Sequence, residues 1–245
     1  MPEITESSIS QAWLRAVKLA DTSSRKEVSN LIVNIEGLAQ EGRLEEERVR
    51  RDLEHALEAN DDFSVSTVAN TIFPVSLWRR SLPRGALFDR YLKLWPRISA
   101  VRQNRRGTYF QRLISYPHVC DSSFNQLDFV ISAYRSGTHR RSALQCGILA
   151  PNLDLNATPF QGFPCMQQVA FIPEGKDGLR ISALYPMHYL WARAYGNYLG
   201  LINLGRFMAK EMGLELRVLT CVALVAKLDE PALARRLLEV ENAIR

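Results

Sequence analysis

The segment Gly162-Phe163-Pro164-Cys165-Met166-Gln167-Gln168-Val169-Ala170-Phe171 sets one cysteine directly after a proline and at the mouth of a predicted strand. A thiol in that position is exposed and rigidly presented. Cations close enough to favour the thiolate would make Cys165 a nucleophile; without them it is an inert small hydrophobe at a strand start. The other cysteines differ. Cys146 and Cys221 lie in apolar surroundings and read as core, while Cys120 follows His118 with no third group to orient the pair. The chain has no Cys-x-x-Cys and no His-x-x-x-His, so its four cysteines signal neither a zinc site nor a disulfide framework, and reduced thiols are expected. Further candidates for binding chemistry are the pair Arg140 and Arg141, then Arg112, Asn197 and His188. Each also has a structural reading: a solvated turn, a surface charge, a buried or capping amide, a structural imidazole. Arg79 and Arg80 form a small basic patch of no assigned use, and Asp21 to Lys26 is a phosphate loop or a helix-terminating loop.

These groups must be held by elements that the apolar periodicity and turn chemistry predict. A helix over 6 to 20 opens the fold, with Ser7 or Ser8 as cap, followed by a short strand from Leu31 to Ile35 and a charge-laced helix from Arg43 to Ala59. Ser66 to Pro74 reads as a strand or buried loop that ends at a proline. A helix covers 87 to 103. Gly107-Thr108-Tyr109-Phe110-Gln111-Arg112-Leu113 then joins aromatic and basic groups on a flexible glycine. Asp121, Ser122 or Ser123 caps a helix through Arg135, and strands are expected over 142 to 149, 166 to 172 and 179 to 185. A long helix spans 189 to 212 and stops at Gly213; a β-rich run over 215 to 228 precedes a closing helix from Glu230 or Pro231.

The composition of the 245-residue chain, 47% hydrophobic and 23% charged, is that of a globular protein and excludes disordered, collagen-like and coiled-coil classes. The longest nearly apolar run, Val218 to Ala226, falls well short of the roughly 20 residues that cross a bilayer, so no membrane span is expected. The first residues carry Glu3 and Glu6 and lack the pattern of a secretory signal, which makes a cytoplasmic protein the expectation. A net charge of +5 suits an anionic ligand weakly, and with no stripe of aromatics and lysines it argues against nucleic acid.

The order of segments resembles thymidylate synthase. Asn125-Gln126-Leu127 opens a helix that leads to His139-Arg140-Arg141-Ser142; Pro164-Cys165 stands at a strand; a strand ends at Tyr185; and Asn197 begins a long helix. In that family a Gln-Leu helix, an Arg-Arg pair, a Pro-Cys nucleophile, a strand ending in Tyr and a Phe-Asn pair follow in this order. Residues 107 to 113 look like the family's Tyr-Gly-x-Gln-Trp-Arg segment in degenerate form. The resemblance covers about residues 104 to 228, with 1 to 85 a divergent amino-terminal part of one domain spanning 1 to 245.

The resemblance implies an α/β (α+β) fold with a twisted mixed β-sheet and a long central helix. It implies a transferase that acts at C5 of a pyrimidine nucleotide, delivering a methyl or hydroxymethyl group, with Cys165 as nucleophile and methylenetetrahydrofolate as one-carbon donor. Arg140 and Arg141 would reach the nucleotide phosphate across a homodimer, Arg112 would assist at the phosphate or the folate, and Asn197 would read a uracil-type base. Three departures bear on this. Pro186-Met187-His188-Tyr189-Leu190-Trp191 stands where the family has Gln-Arg-Ser-x-x-Asp, although Arg193 lies close by; Cys221 to Ala226 replaces the Gly-Asp-x-His-x-Tyr that binds the sugar; and Met166 replaces the histidine after the nucleophile. The competing expectation is a non-catalytic member of the fold that serves as a binding or scaffold subunit.

Overall fold

A computed structural model describes residues 1–39, 44–117, 123–155, 157 and 163–242. In chain order the elements are β1 (Glu3–Glu6), α1 (Ile9–Thr22), β2 (Glu27–Ile35), α2 (Glu47–Ala59), α3 (Val65–Ile72), α4 (Arg84–Ala100), α5 (Tyr109–Ile114), β3 (Tyr116–Pro117) and β4 (Ser123–Phe124). They continue with α6 (Gln126–Arg135), β5 (Gln145–Gly147), α7 (Pro151–Asp154), β6 (Gln168–Glu174), β7 (Gly178–Tyr189), α8 (Tyr195–Met212), β8 (Glu215–Lys227) and α9 (Pro231–Asn242).

The described residues form a six-stranded mixed sheet in the order β1-β2-β8-β7-β6-β5. Parallel pairing of β7 with β8 requires a crossover, and α8 supplies it: the chain leaves β7, runs back along the helix and re-enters as β8. Alternation of side chains gives the sheet two unlike faces. One carries Leu31, Val33, Ile35, Leu219, Cys221, Ile181, Ala183, Tyr185, Val169 and Phe171, all buried under helices. The other carries Ile32, Val222, Leu224, Leu184, Ala170 and Ile172, all partly or well exposed. A polar chain crosses that second face: Arg180 bonds Glu174 (2.6 Å) and Thr220 (2.9 Å), Thr220 bonds Asn34 (2.8 Å), and Asn34 bonds Glu3 (2.7 Å).

Buried nearly all round, α8 is the central helix that the resemblance implies. It rests on β7 and β8 and is flanked by α1, α3 and α6. Its approach to α3 depends on glycine. A Cβ at Gly196 would stand 2.6 Å from Val68 Cβ, and one at Gly200 would stand 2.7 Å from the Ala69 carbonyl oxygen.

Local expectations met several corrections. Residues 66 to 74 are not a strand or loop: α3 begins at a Ser64 cap whose hydroxyl accepts the Thr67 N–H, and Val65, Val68, Ala69 and Ile72 form its buried face. The β-branched composition suggested extended chain, but burial against α8 outweighs propensities of a few tenths of a kcal/mol. The fold opens on β1, with α1 starting at Ile9 on a Ser8 cap. The span from 189 divides: Tyr189 still belongs to β7, Leu190–Ala194 is one π-helical turn, and only then does α8 begin. Expectations placed on His118, Cys120, Asp121 and Ser122 lie outside the described residues. No helix among the described residues is long and apolar enough to cross a membrane.

Candidate active site

Cys165 stands half-buried on the turn that feeds β6, after a cis Phe163-Pro164 peptide bond. The turn is pinned from outside. The Tyr109 hydroxyl, at the first residue of α5, accepts the backbone N–H of both Cys165 and Met166 at 3.3 Å. Phe163 packs on Tyr109 with ring centroids 5.2 Å apart, and the Arg112 guanidinium lies 5.4 Å from the Phe163 ring centre. The sulfur is thus held by groups more than fifty residues earlier in the chain.

One cation acts on that sulfur. Burial pushes the Cys165 thiol above its ordinary value, and the Arg193 guanidinium offsets part of that rise. Arg193 sits on the π-helical turn between β7 and α8, with its guanidinium 4.9 Å from the Phe63 ring centre. The turn is built by distant partners. The Asp229 carboxylate accepts the N–H groups of Trp191 (2.8 Å) and Ala192 (3.1 Å), and the Trp13 indole N–H donates to the Leu190 carbonyl at 2.7 Å. Such insertions re-aim side chains at the head of a helix and recur at functional sites.

Behind the sulfur lies a buried polar array on β7 and α8. The His188 ring stacks on Tyr185 at 4.2 Å between centroids, receives the Asn197 amide N–H on Nε2 (3.0 Å), and directs Nδ1 toward the Cys221 sulfur at 3.8 Å. With Nε2 accepting, the imidazole is neutral and carries its proton on Nδ1. Burial holds it so, pushing its pKa down to about 3. Tyr185 is fully buried, and its hydroxyl lacks a hydrogen-bond partner among the described residues; the same is true of the Trp191 indole nitrogen. Each such orphan costs about 1–3 kcal/mol unless a water or ligand meets it. Burial pushes the Tyr185 hydroxyl well above its ordinary pKa, and the neighbouring Cys221, Tyr109 and Cys165 add to the rise.

The anticipated residues separate into groups. Cys165 and Asn197 share one region, bridged by Tyr185 and His188. Arg112 is 3% exposed and makes a two-pronged ion pair with Asp154 (2.8 and 3.2 Å), with weaker contacts to the Ile148 and Arg106 carbonyls. In this state it braces the cysteine turn through Phe163. Arg140 and Arg141 are exposed, at the start of a short 3-10 turn ahead of the edge strand β5; their carbonyls accept the Ala143 and Leu144 N–H groups, and their guanidinium groups bond to no protein group among the described residues. Cys146 and Cys221 are buried core thiols, as their neighbours in sequence predict. The reading of the sequence missed the role of Tyr109 and undervalued Arg193. An aromatic beside a glycine and a basic residue just past a strand were the only local signals.

No carboxylate acts on Cys165 among the described residues, and none can hold a metal ion in a cluster of three or more ligands. The one carboxylate at the π-helical turn, Asp229, is committed to backbone N–H groups.

No protein-family model matches the chain. Over 108 residues it is 31% identical to a protein of Methanocaldococcus jannaschii described as "Putative thymidylate synthase", a match that takes in 43% of this chain and 47% of that protein. The chain therefore spans about half the length of the curated relative it matches. Over that stretch it is similar to a thymidylate-synthase-like protein, and its mixed sheet with a buried central helix is an α+β fold.

Proposed function

We propose that the chain is a thymidylate-synthase-like transferase that modifies C5 of a pyrimidine nucleotide through a covalent adduct with Cys165. The observation that carries this reading is a half-buried cysteine whose turn is pinned by the Tyr109 hydroxyl and whose thiol feels the positive charge of Arg193. The sulfur has a cation to support its thiolate and a fixed direction of approach.

The physical need for the adduct lies in the ring. C5 of a uracil is a poor nucleophile, and addition of sulfur to C6 converts it into an enolate carbon. In the first step the S–C6 bond forms, the C5=C6 π pair moves to C5 and the C4 oxygen, and the thiol proton has left to a base. C5 then bonds to an electrophilic one-carbon unit and releases its proton. Departure of the sulfur from C6, with its electron pair, restores the ring. Tyr109 and Arg193 hold the nucleophile for these steps, and the Tyr185 hydroxyl offers a donor to the ligand. Arg140 and Arg141, their guanidinium groups free of protein partners among the described residues, are suited to a phosphate, which planar guanidinium groups bind in pairs. Asn197, its amide N–H held by His188, offers its amide oxygen to an N–H of the base edge.

A reduced folate is the donor that the resemblance implies, yet the described residues fit it poorly. Its pterin presents amide and amino N–H groups that call for a carboxylate, and the carboxylate at the π-helical turn, Asp229, already accepts two backbone N–H groups. The donor in this reading is an electrophilic one-carbon carrier.

The test is intact-protein mass spectrometry after incubation with a 5-fluoropyrimidine nucleotide, whose C5 fluorine blocks release. A mass gain of one nucleotide is expected, lost in Cys165→Ala and slowed in Arg193→Gln. Because burial lifts the thiol above its ordinary value, the adduct rate should climb with pH across the neutral range, and the Arg193→Gln profile should be displaced to higher pH. A protein that binds the nucleotide but never gains mass is the scaffold member of the fold instead.

A further inference from the structure

A second site lies at the opposite end of α8. A cleft of about 400 Å³ opens between the start of β8 and the chain that follows α3, lined by Trp78, Arg80, Arg206, Lys210, Glu215 and Leu216. Arg206 projects from the helix 13 residues beyond Arg193, which at 1.5 Å per residue separates the cleft from the Cys165 region by roughly 20 Å along the axis. That distance makes the two places independent.

The charges in the cleft are unbalanced. Lys210 pairs with Glu211 at 3.1 Å, whereas neither guanidinium has a carboxylate or carbonyl partner among the described residues. Arg80 lies 5.2 Å from the Trp78 ring centre, and Trp78 is locked edge-on against Phe73 and Phe207, so the aromatic wall that carries Arg80 is rigid. Half-buried Arg206 is pressed below its usual pKa by burial and then by the positive charge of Arg80. Two arginines that repel each other, one of them desolvated, with only Glu215 in opposition, are costly in the free protein. An anion that bridges them offsets both the repulsion and the lost hydration. The cleft volume is in the range of small-molecule sites, and the planar guanidinium fork matches phosphate oxygens.

We propose that the Arg80–Arg206 cleft is a binding site for a phosphate-bearing small molecule, separate from the Cys165 site. The ligand is recognised through its phosphates, which span the two guanidinium groups.

Isothermal titration of the full-length protein with inorganic pyrophosphate at low salt tests this. Because Arg140 and Arg141 are assigned to the nucleotide phosphate, the titration is read in Arg140→Gln/Arg141→Gln, where saturable binding at the cleft is expected to remain and to weaken about tenfold or more when Arg80→Gln/Arg206→Gln is added. Since neither the Arg80 nor the Arg206 guanidinium pairs with a carboxylate or carbonyl among the described residues and the two repel each other, Arg80→Gln/Arg206→Gln should melt at the same temperature as the parent or higher, which separates lost binding from lost folding. A nucleoside diphosphate and a sugar bisphosphate form two further arms. Tighter binding of either than of pyrophosphate identifies the carrier of the phosphates, and equal affinity assigns recognition to the phosphates alone. Absence of pyrophosphate binding in Arg140→Gln/Arg141→Gln, or binding there that survives the addition of Arg80→Gln/Arg206→Gln, overturns the proposal.

Discussion

At the scale of single residues, the chemistry rests on which groups are kept neutral and which are brought beside a charge. His188 is the clearest case. Its unfolded pKa is near 6.5 and its folded value is pushed down to about 3 by burial among Tyr185, Tyr198 and Cys221. A depressed value means that stability is fully present above about pH 6.5. As pH falls below that, the unfolded chain takes up a proton that the native state refuses, and stability drops by about 1.4 kcal/mol per pH unit from this group alone. Urea unfolding between about pH 7.5 and pH 5 should therefore show a steeper loss in the parent protein than in His188→Gln; equal slopes would show that the imidazole is not held neutral. Cys165 could be picked out in the sequence from its proline and the strand after it. The choice between nucleophile and inert hydrophobe could not be made there, because Arg193 and Tyr109 reach it only through the fold.

At the scale of elements, the decisive feature is the π-helical turn between β7 and α8. Sequence periodicity merges Tyr189 through Met212 into one helix, since a single inserted residue leaves the apolar spacing almost unchanged. What produces the turn is remote: Asp229, 38 residues later, and Trp13, 177 residues earlier, bind its backbone. The α3–α8 contact is the second such feature. Gly200 sits where a Cβ would meet the Ala69 carbonyl oxygen at 2.7 Å and Ile72 Cβ at 3.0 Å. On helix propensity alone Gly200→Ala would gain up to about 1 kcal/mol. Backbone cannot yield as a flexible side chain does, so the overpacking cost of about 1–3 kcal/mol should dominate, and the variant should unfold at lower denaturant than the parent. A stabilised Gly200→Ala would mean that the two helices are not in close contact.

For the molecule as a whole, the unequal faces of the sheet matter most. Ile32, Leu184, Val222 and Leu224 lie on the face away from the helices, beside the polar line from Glu174 to Glu3. In the homodimer that the resemblance implies, a second copy would cover this face, and Arg140 and Arg141 of each chain would serve the site of the other. Sedimentation should then show a dimer that Val222→Lys/Leu224→Lys converts to monomer. Cys165→Ala and Arg140→Gln/Arg141→Gln, each inactive alone, should recover part of the adduct-forming activity when mixed, because one mixed site holds both an intact cysteine and an intact arginine pair. A parent protein that sediments as a monomer, or mixtures that recover nothing, would remove the shared-site arrangement. The cleft of Arg80 and Arg206 stands apart from this question, being formed within one chain.

What the sequence determined by itself was the set of features written into a few consecutive residues. The alternation of Leu179, Ile181, Ala183 and Tyr185 marks a half-buried strand, Gly213 in the left-handed conformation (φ 74°) ends the central helix, and Pro164-Cys165 presents a thiol at a strand entrance. Periods of two and 3.6 residues and the chemistry of caps are local, so a single chain displays them. Tertiary structure alone decided that Arg193 rather than Arg112 acts on the sulfur, that Arg112 spends its charge on Asp154, and that two unpaired arginines share a distant cleft. Electrostatic fields and desolvation depend on distances through space, and neighbours far apart in the sequence set those distances only once the sheet and its central helix have brought them together.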